Sequence, residues 1–427
     1  MIKLKRSLGL FEATFYGIGV ILGAGIYALI GEAAGLAGNS LWMSFIFGAL
    51  VSSFTGLAYA ELSSMYPKEA AEFVYVKKAY GSNFWAFLIG WLLIFTGAIS
   101  VATVSLGFAG YFNALFGSPI IFAALILIVI LSIINYLGIK ESSRFNVLFT
   151  SVEIVGLLIV ILVGFGKFGS VNYLEMPNGV GGILSASVLI FFAYLGFEEV
   201  VNISEETKKP RKIIPKALLL AIAITTILYV LVSVSVVSLA NWKDLQATSA
   251  PIAFAASNAL GSNAFFILSV IALFATANTV LGMLIFTSRM VFGMSREKTL
   301  PRFLSNIDHK RRTPWLAVIA VMIFSSVFVF LGKISLVANI TSLGALITFL
   351  VINLSLIWLR YTQPKIHRPF RVPLSIGKYP LTAFLGVTTC MFMLLQFDIS
   401  LLLLGFLVLL AGTVVYLIYY FRIPLKI

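Results

Sequence analysis

The chain has 427 residues, 60% of them apolar and only 11% charged, where a soluble domain carries roughly a quarter charged residues, so water is not its main solvent. One cysteine, Cys390, excludes an intrachain disulfide and a thiolate zinc cage, and both histidines, His309 and His367, sit in basic polar stretches, so neither a metal nor a cofactor is expected. The net charge of +14 would suit nucleic acid unless topology accounts for it.

Twelve apolar runs are each long enough to cross about 30 Å of hydrocarbon. They cover residues 11–36, 41–66, 84–116, 119–138, 145–166, 181–203, 213–240, 264–288, 314–331, 335–359, 380–396 and 399–421. The basic start, Met1 to Arg6, is followed by no small-residue cleavage pattern and by many further apolar runs, so the first run is read as a retained helix rather than a secretory signal. An even number of spans places both termini on one side. With that side cytoplasmic, 27 of the 30 Lys and Arg residues fall inside and only Lys167, Lys243 and Lys333 outside, which is the positive-inside pattern. The reading is a multi-pass cell-membrane protein with cytoplasmic N- and C-termini. The same placement accounts for the basic charge and excludes a nucleic-acid partner. No linker divides the chain, so residues 1–427 form one domain, with helices 1–5 over 11–166, helices 6–10 over 181–359 and helices 11–12 over 380–421. Glycines and serines of the third run suit close helix packing, and Trp42, Tyr111 and Tyr419 suit interface anchors.

Two runs are interrupted. The first carries Gly17, Gly19, Gly23 and Gly25 near its middle, each lowering helix propensity by roughly 1 kcal/mol relative to Ala. The sixth reads Phe191-Phe192-Ala193-Tyr194-Leu195-Gly196-Phe197-Glu198-Glu199, with a glycine and two carboxylates where a span should be apolar. Breaks in runs 1 and 6, five spans apart, predict two five-helix halves entering the membrane from opposite sides, an inverted repeat with a midplane site between its discontinuous helices. A zwitterion crossing there needs partners for both charges. The half-helix after Gly25 offers unpaired N–H groups and a positive dipole end to a carboxylate, and carbonyls freed near Ile21 and over Phe192 to Leu195 suit an ammonium group. Glycine at positions 23 and 25 leaves the backbone open to approach.

The run Gly23-Ala24-Gly25-Ile26-Tyr27, the segment Phe191 to Glu199 with Glu205-Glu206-Thr207-Lys208-Lys209-Pro210-Arg211-Lys212 after it, and Phe274-Ala275-Thr276-Ala277-Asn278-Thr279 leading to Ser288-Arg289 resemble the amino acid, polyamine and organocation transporter superfamily over helices 1 to 10. The resemblance implies an all-α membrane protein of the LeuT type, with 12 transmembrane helices arranged as a 5+5 inverted repeat plus two C-terminal helices, helices 1 and 6 being broken. It implies an amino acid carboxylate on Ala24, Gly25 and Ile26, an amine on Ile21, Phe192, Ala193 and Leu195, and Phe192 as an aromatic gate. Cationic amino acid members carry a glutamate in helix 3 where this chain has Thr96 in Trp91-Leu92-Leu93-Ile94-Phe95-Thr96-Gly97, which points to neutral substrates. Many proton-coupled members carry a helix 5 lysine nine residues after an arginine, and nine residues after Arg144 stands Glu153.

Glu153 lies deep in the fifth run, where an acid faces the bundle interior and is functional by default. Glu198, just past Gly196, suits a pH-sensitive or gating role. Glu12 and Glu61 lie where loop cations are available as partners. The other acids, Glu72 and Glu206 among them, lie near or beyond run ends, where solvated or loop-paired roles are the default. No His-Glu-x-x-His, Gly-x-Ser-x-Gly or phosphate loop occurs, so an enzyme is not expected. The reading is a secondary transporter of neutral amino acids driven by protons rather than sodium. Its rivals are an exchanger, a cationic amino acid or polyamine transporter, a channel, and a membrane amino acid sensor.

Overall fold

The computed structural model describes residues 6, 8–68, 70–331 and 334–422. Lys3, Lys5, Lys333 and Lys426 of the charge pattern lie outside the described residues, as do the side chains of Ala24 and Arg144. The chain is helical nearly throughout. The helices are α1 (Leu10–Ala37), α2 (Leu41–Met65), α3 (Ala71–Tyr80), α4 (Asn83–Phe116), α5 (Ile120–Leu137), α6 (Ile139–Phe165), α7 (Gly179–Tyr194) and α8 (Glu199–Asn202). They continue with α9 (Pro210–Leu239), α10 (Trp242–Ala247), α11 (Pro251–Leu260), α12 (Ser262–Arg296), α13 (Trp315–Val329) and α14 (Ile334–Thr362), then α15 (Leu381–Leu394) and α16 (Ile399–Arg422). A hairpin of β1 (Ser375–Ile376) and β2 (Tyr379–Pro380), paired Ser375 to Pro380 and Ile376 to Tyr379, precedes α15.

Each of the twelve apolar runs is occupied by helix. Among the described residues nine stretches are long and apolar enough to cross a membrane, one of them, Leu10–Met65, holding both α1 and α2. The shorter α13 and α15 are apolar as well. Large apolar side chains such as Phe122, Ile133, Leu162, Leu403 and Phe406 are exposed on α5, α6 and α16. Helices bury their own backbone polar groups, so such faces can stand in lipid. Between α9 and α12, outside the twelve runs, the chain forms α10 and α11, which pack on α1.

The stretch holding α1 and α2, and α4, are the most enclosed of the membrane-length helices. α1 packs on α7, α9 and α12, α2 on α9, and α4 on α12 and α14. Leu8 and Tyr419, near the two ends of the described residues, lie on one face: Leu8 bridges to Thr207 just before α9, and the Tyr419 hydroxyl donates to Leu300 O just after α12. On that face Glu61, at the end of α2, is fully buried and does pair with cations beyond its own helix. It accepts from Arg360 Nε at 2.7 Å and Nη2 at 2.5 Å and from the Val372 amide at 2.8 Å, with Arg368 Nε 3.1 Å away. Glu12, by contrast, accepts from the Gly9 amide at 2.8 Å and so caps its own helix. Removing one partner of a buried ion pair strands the other charge at a cost of about 3–5 kcal/mol. Glu61→Ala should therefore lower the melting temperature of the purified protein sharply, and an unchanged midpoint would show the clamp to be idle.

Candidate functional site

The two interrupted runs break where expected and meet. Gly23 leaves helical geometry inside α1, at φ −39° and ψ −113°. α7 stops at Tyr194, Leu195 is extended, and Gly196 takes φ +116°, a conformation that glycine adopts without strain, before α8 begins at Glu199. A Cβ on Gly196 would crowd Val20 and, at 3.3 Å, the Ile21 amide nitrogen. A Cβ on Gly25 would collide with the Ala193 Cα, and one on Gly23 with the Thr279 hydroxyl. Bare backbone at Gly25 and Gly196 is what lets the two broken segments touch, and at Gly23 it is what lets α12 come close.

The freed carbonyls have partners that the sequence did not disclose. The Tyr229 hydroxyl, on α9, is shared between Ile21 O at 2.5 Å and Ala193 O at 2.8 Å, so one phenol ties both breaks together. The Phe192 carbonyl accepts from the Leu195 amide at 3.2 Å. On the other side of α1, Thr279 Oγ1 faces Gly19 O at 3.3 Å and Val20 O at 3.4 Å. Asn278 Nδ2 lies 3.4 Å from Gly19 O and 3.1 Å from Thr150 Oγ1, and Asn146 Nδ2 donates to Asn278 Oδ1 at 3.0 Å. Ile21, Ile26, Phe192, Ala193 and Leu195 are all buried.

Glu153, on α6, is fully buried, and neither carboxylate oxygen has a hydrogen-bond partner. Its backbone carbonyl accepts from the Tyr27 hydroxyl at 3.3 Å, and Tyr111 donates to Tyr27 O at 2.9 Å. Tyr111 is thus an interior strut and not the interface anchor expected. Glu198 accepts from the Gly196 amide at 2.9 Å and so braces the unwound turn. Thr96 donates to Leu93 O at 3.2 Å within its own helix, and its methyl group fills the space beside Gly344 on α14. The structure therefore brings Ile21, Gly23, Gly25, Phe192, Ala193 and Leu195 together, while Thr96 sits at the α4–α14 seam.

Two acids expected in solvated roles are buried instead. Glu206 is almost wholly enclosed, and Glu72 on α3 accepts from Asn202 Nδ2 at 3.2 Å beside Tyr59 and Tyr75. Burial pushes the Glu72 carboxyl up to about 7, with Asn202 opposing in part.

This architecture is that of a many-span helical membrane protein whose two interrupted spans meet backbone to backbone. The amino acid permease family model matches residues 8–420, and the chain belongs to that family, within the amino acid, polyamine and organocation superfamily. It is 32% identical to the branched-chain amino acid permease BcaP of Bacillus subtilis over 98% of this chain and 93% of that one. It is equally similar to a methylthioribose transporter of the same organism, over 98% and 94%. It is 30% identical to a vacuolar cationic amino acid transporter of Arabidopsis thaliana, over 89% and 66%.

Proposed function

We propose that the chain carries neutral amino acids across the cell membrane by alternating access as a proton symporter, with both termini in the cytoplasm. The observation that carries this reading is the meeting of the two breaks, where Gly25 backbone lies on Ala193 and the Ile21 and Ala193 carbonyls converge on one hydroxyl. Carbonyl oxygens suit an ammonium group, and the first amides of the half-helix beyond Gly23 suit a carboxylate. A 5+5 inverted repeat of twelve spans is supported by the pairing of α1 with α7, α2 with α9 and α4 with α12, each five apolar runs apart. Glu153 is the coupling group in this reading, Glu198 the gate brace, and Phe192 the aromatic lid of the cleft.

Purified protein in liposomes, given a proton or a sodium gradient separately, tests the proposal. Accumulation under the proton gradient with counterflow is expected, whereas a channel shows no trans-stimulation. A sodium-driven reading is favoured by the hard oxygens of Gly19, Val20 and Thr279, and a sodium requirement at every pH would select it. With no acid at position 96, leucine, alanine or serine should compete with uptake better than arginine, lysine or methylthioribose. Arginine outcompeting them would overturn the neutral assignment.

A further inference from the structure

The face that carries Leu8 and Tyr419 holds a basin of about 900 Å³, within the size range of small-molecule sites. It is separate from the meeting point of the two breaks, since its lining includes no residue of the breaks at Gly23 or Gly196. Eight of its seventeen lining residues are Lys or Arg and two are Glu, a net charge of +6. Both acids are already engaged, Glu297 with Lys77 at 2.8 Å and Glu205 with Lys68 at 3.8 Å.

Topology accounts for cations flanking each span, but it does not require them to converge. Here cations from five separate stretches of chain converge, Arg296 at the end of α12 among them. Arg6 precedes α1, Lys68 follows α2, Lys78 closes α3, and Lys209, Arg211 and Lys212 open α9. α9 itself begins at the basin, and the positive end of its dipole adds to the field. A concave surface lined by one sign of charge concentrates counter-ions, and guanidinium and ammonium groups in a cluster are the usual partners of phosphate oxygens.

We infer that this basin is a binding site for a multiply charged phosphate, supplied by a soluble polyphosphorylated metabolite or by an anionic lipid headgroup. Because the wall is built from the ends of α2, α3 and α12 and the start of α9, an occupant holds these helices together. It stabilises the arrangement in which they stand this close. Occupancy is therefore a brake on any movement that parts them.

The probe is inorganic tripolyphosphate, added at constant ionic strength to the full-length protein in phosphatidylcholine nanodiscs while the melting temperature is followed. A saturable rise is expected, since a ligand of the folded state stabilises by mass action, with no rise from sulfate. Lys209→Gln/Arg211→Gln/Lys212→Gln should need about tenfold more tripolyphosphate or lose the response, and that tenfold is a modest free-energy loss for three charges. Arg302→Gln/Lys310→Gln/Arg311→Gln removes as many cations outside the basin and should respond as wild type. Should the first variant fail to fold, Arg6→Gln/Lys78→Gln removes charge from the opposite wall and should also weaken the response. Phosphatidylglycerol in the nanodisc separates the two sources, because competition with tripolyphosphate marks the headgroup as occupant and its absence marks a soluble anion. Equal responses from basin and control variants, or an equal rise with sulfate, would overturn the site.

Discussion

Gly25→Leu is expected to abolish substrate uptake at equal surface expression, while Gly181→Leu on α7 leaves it intact. A Cβ at Gly25 would overlap the Ala193 Cα, whereas a Cβ at Gly181 meets nothing within 4 Å. The obstacle at position 25 is backbone, which cannot rotate away as a side chain tip can. The two half-helices must then part. Overpacking of this kind costs about 1–3 kcal/mol even for small insertions, or about ten- to a hundredfold in affinity when the strain is borne by the bound state. Leu adds three more carbons in the position where the proposal seats a carboxylate. Gly25→Ala should show the same loss in lesser degree. Wild-type uptake by Gly25→Leu would remove the cleft assignment.

The second large effect concerns coupling. Glu153→Gln should retain binding and counterflow but lose accumulation driven by an inward proton gradient. Both oxygens of this carboxyl are enclosed without a hydrogen-bond partner, with Tyr27 and Tyr229 close by. Its neutral form suits dry surroundings and its ionised form wet ones, so alternation between enclosed and open states supplies the exchange that coupling requires. Glutamine keeps the shape and removes the exchangeable charge. A gradient of one pH unit supports about tenfold accumulation for one proton per substrate, and the variant should fall to equilibration. If Glu153→Gln concentrates substrate as the wild type does, the residue is a structural acid and coupling has to be sought at Glu198.

The two breaks were legible because the clustered glycines of run 1 and the glycine followed by two carboxylates of run 6 interrupt spans that stand five apart. Gly23 and Gly196 are where the helices give way. The short helix α3 was not legible: ten residues of mixed polarity, too short for a span, fold under the bundle and carry Glu72 into the interior. Tyr229 was invisible for a different reason. A tyrosine in an ordinary apolar run carries no local signal, and its partner Ile21 lies 208 positions away. Asn278 and Thr279 belonged to a motif that marked the family resemblance, yet only the packing of α12 against α1 shows that they serve the carbonyls of Gly19 and Val20. Tyr111 misled for the same reason as Tyr229, since nearness to the end of a run does not reveal which way a ring faces.

The Tyr229 hydroxyl also bears on what the carrier does when empty. Two carbonyl acceptors left bare in a dry interior would each cost on the order of 1–3 kcal/mol, a toll levied on every return journey made without cargo. If the proposed site is right, the phenol occupies the place of a substrate's ammonium group and would let the unloaded protein close around its own side chain and reorient. That is the property that separates a net importer from an obligate antiporter. Tyr229→Phe, which withdraws the stand-in and keeps the ring, should slow net uptake far more than it slows one-for-one exchange of labelled against unlabelled substrate. Equal slowing of the two rates would show that the empty carrier has no need of it.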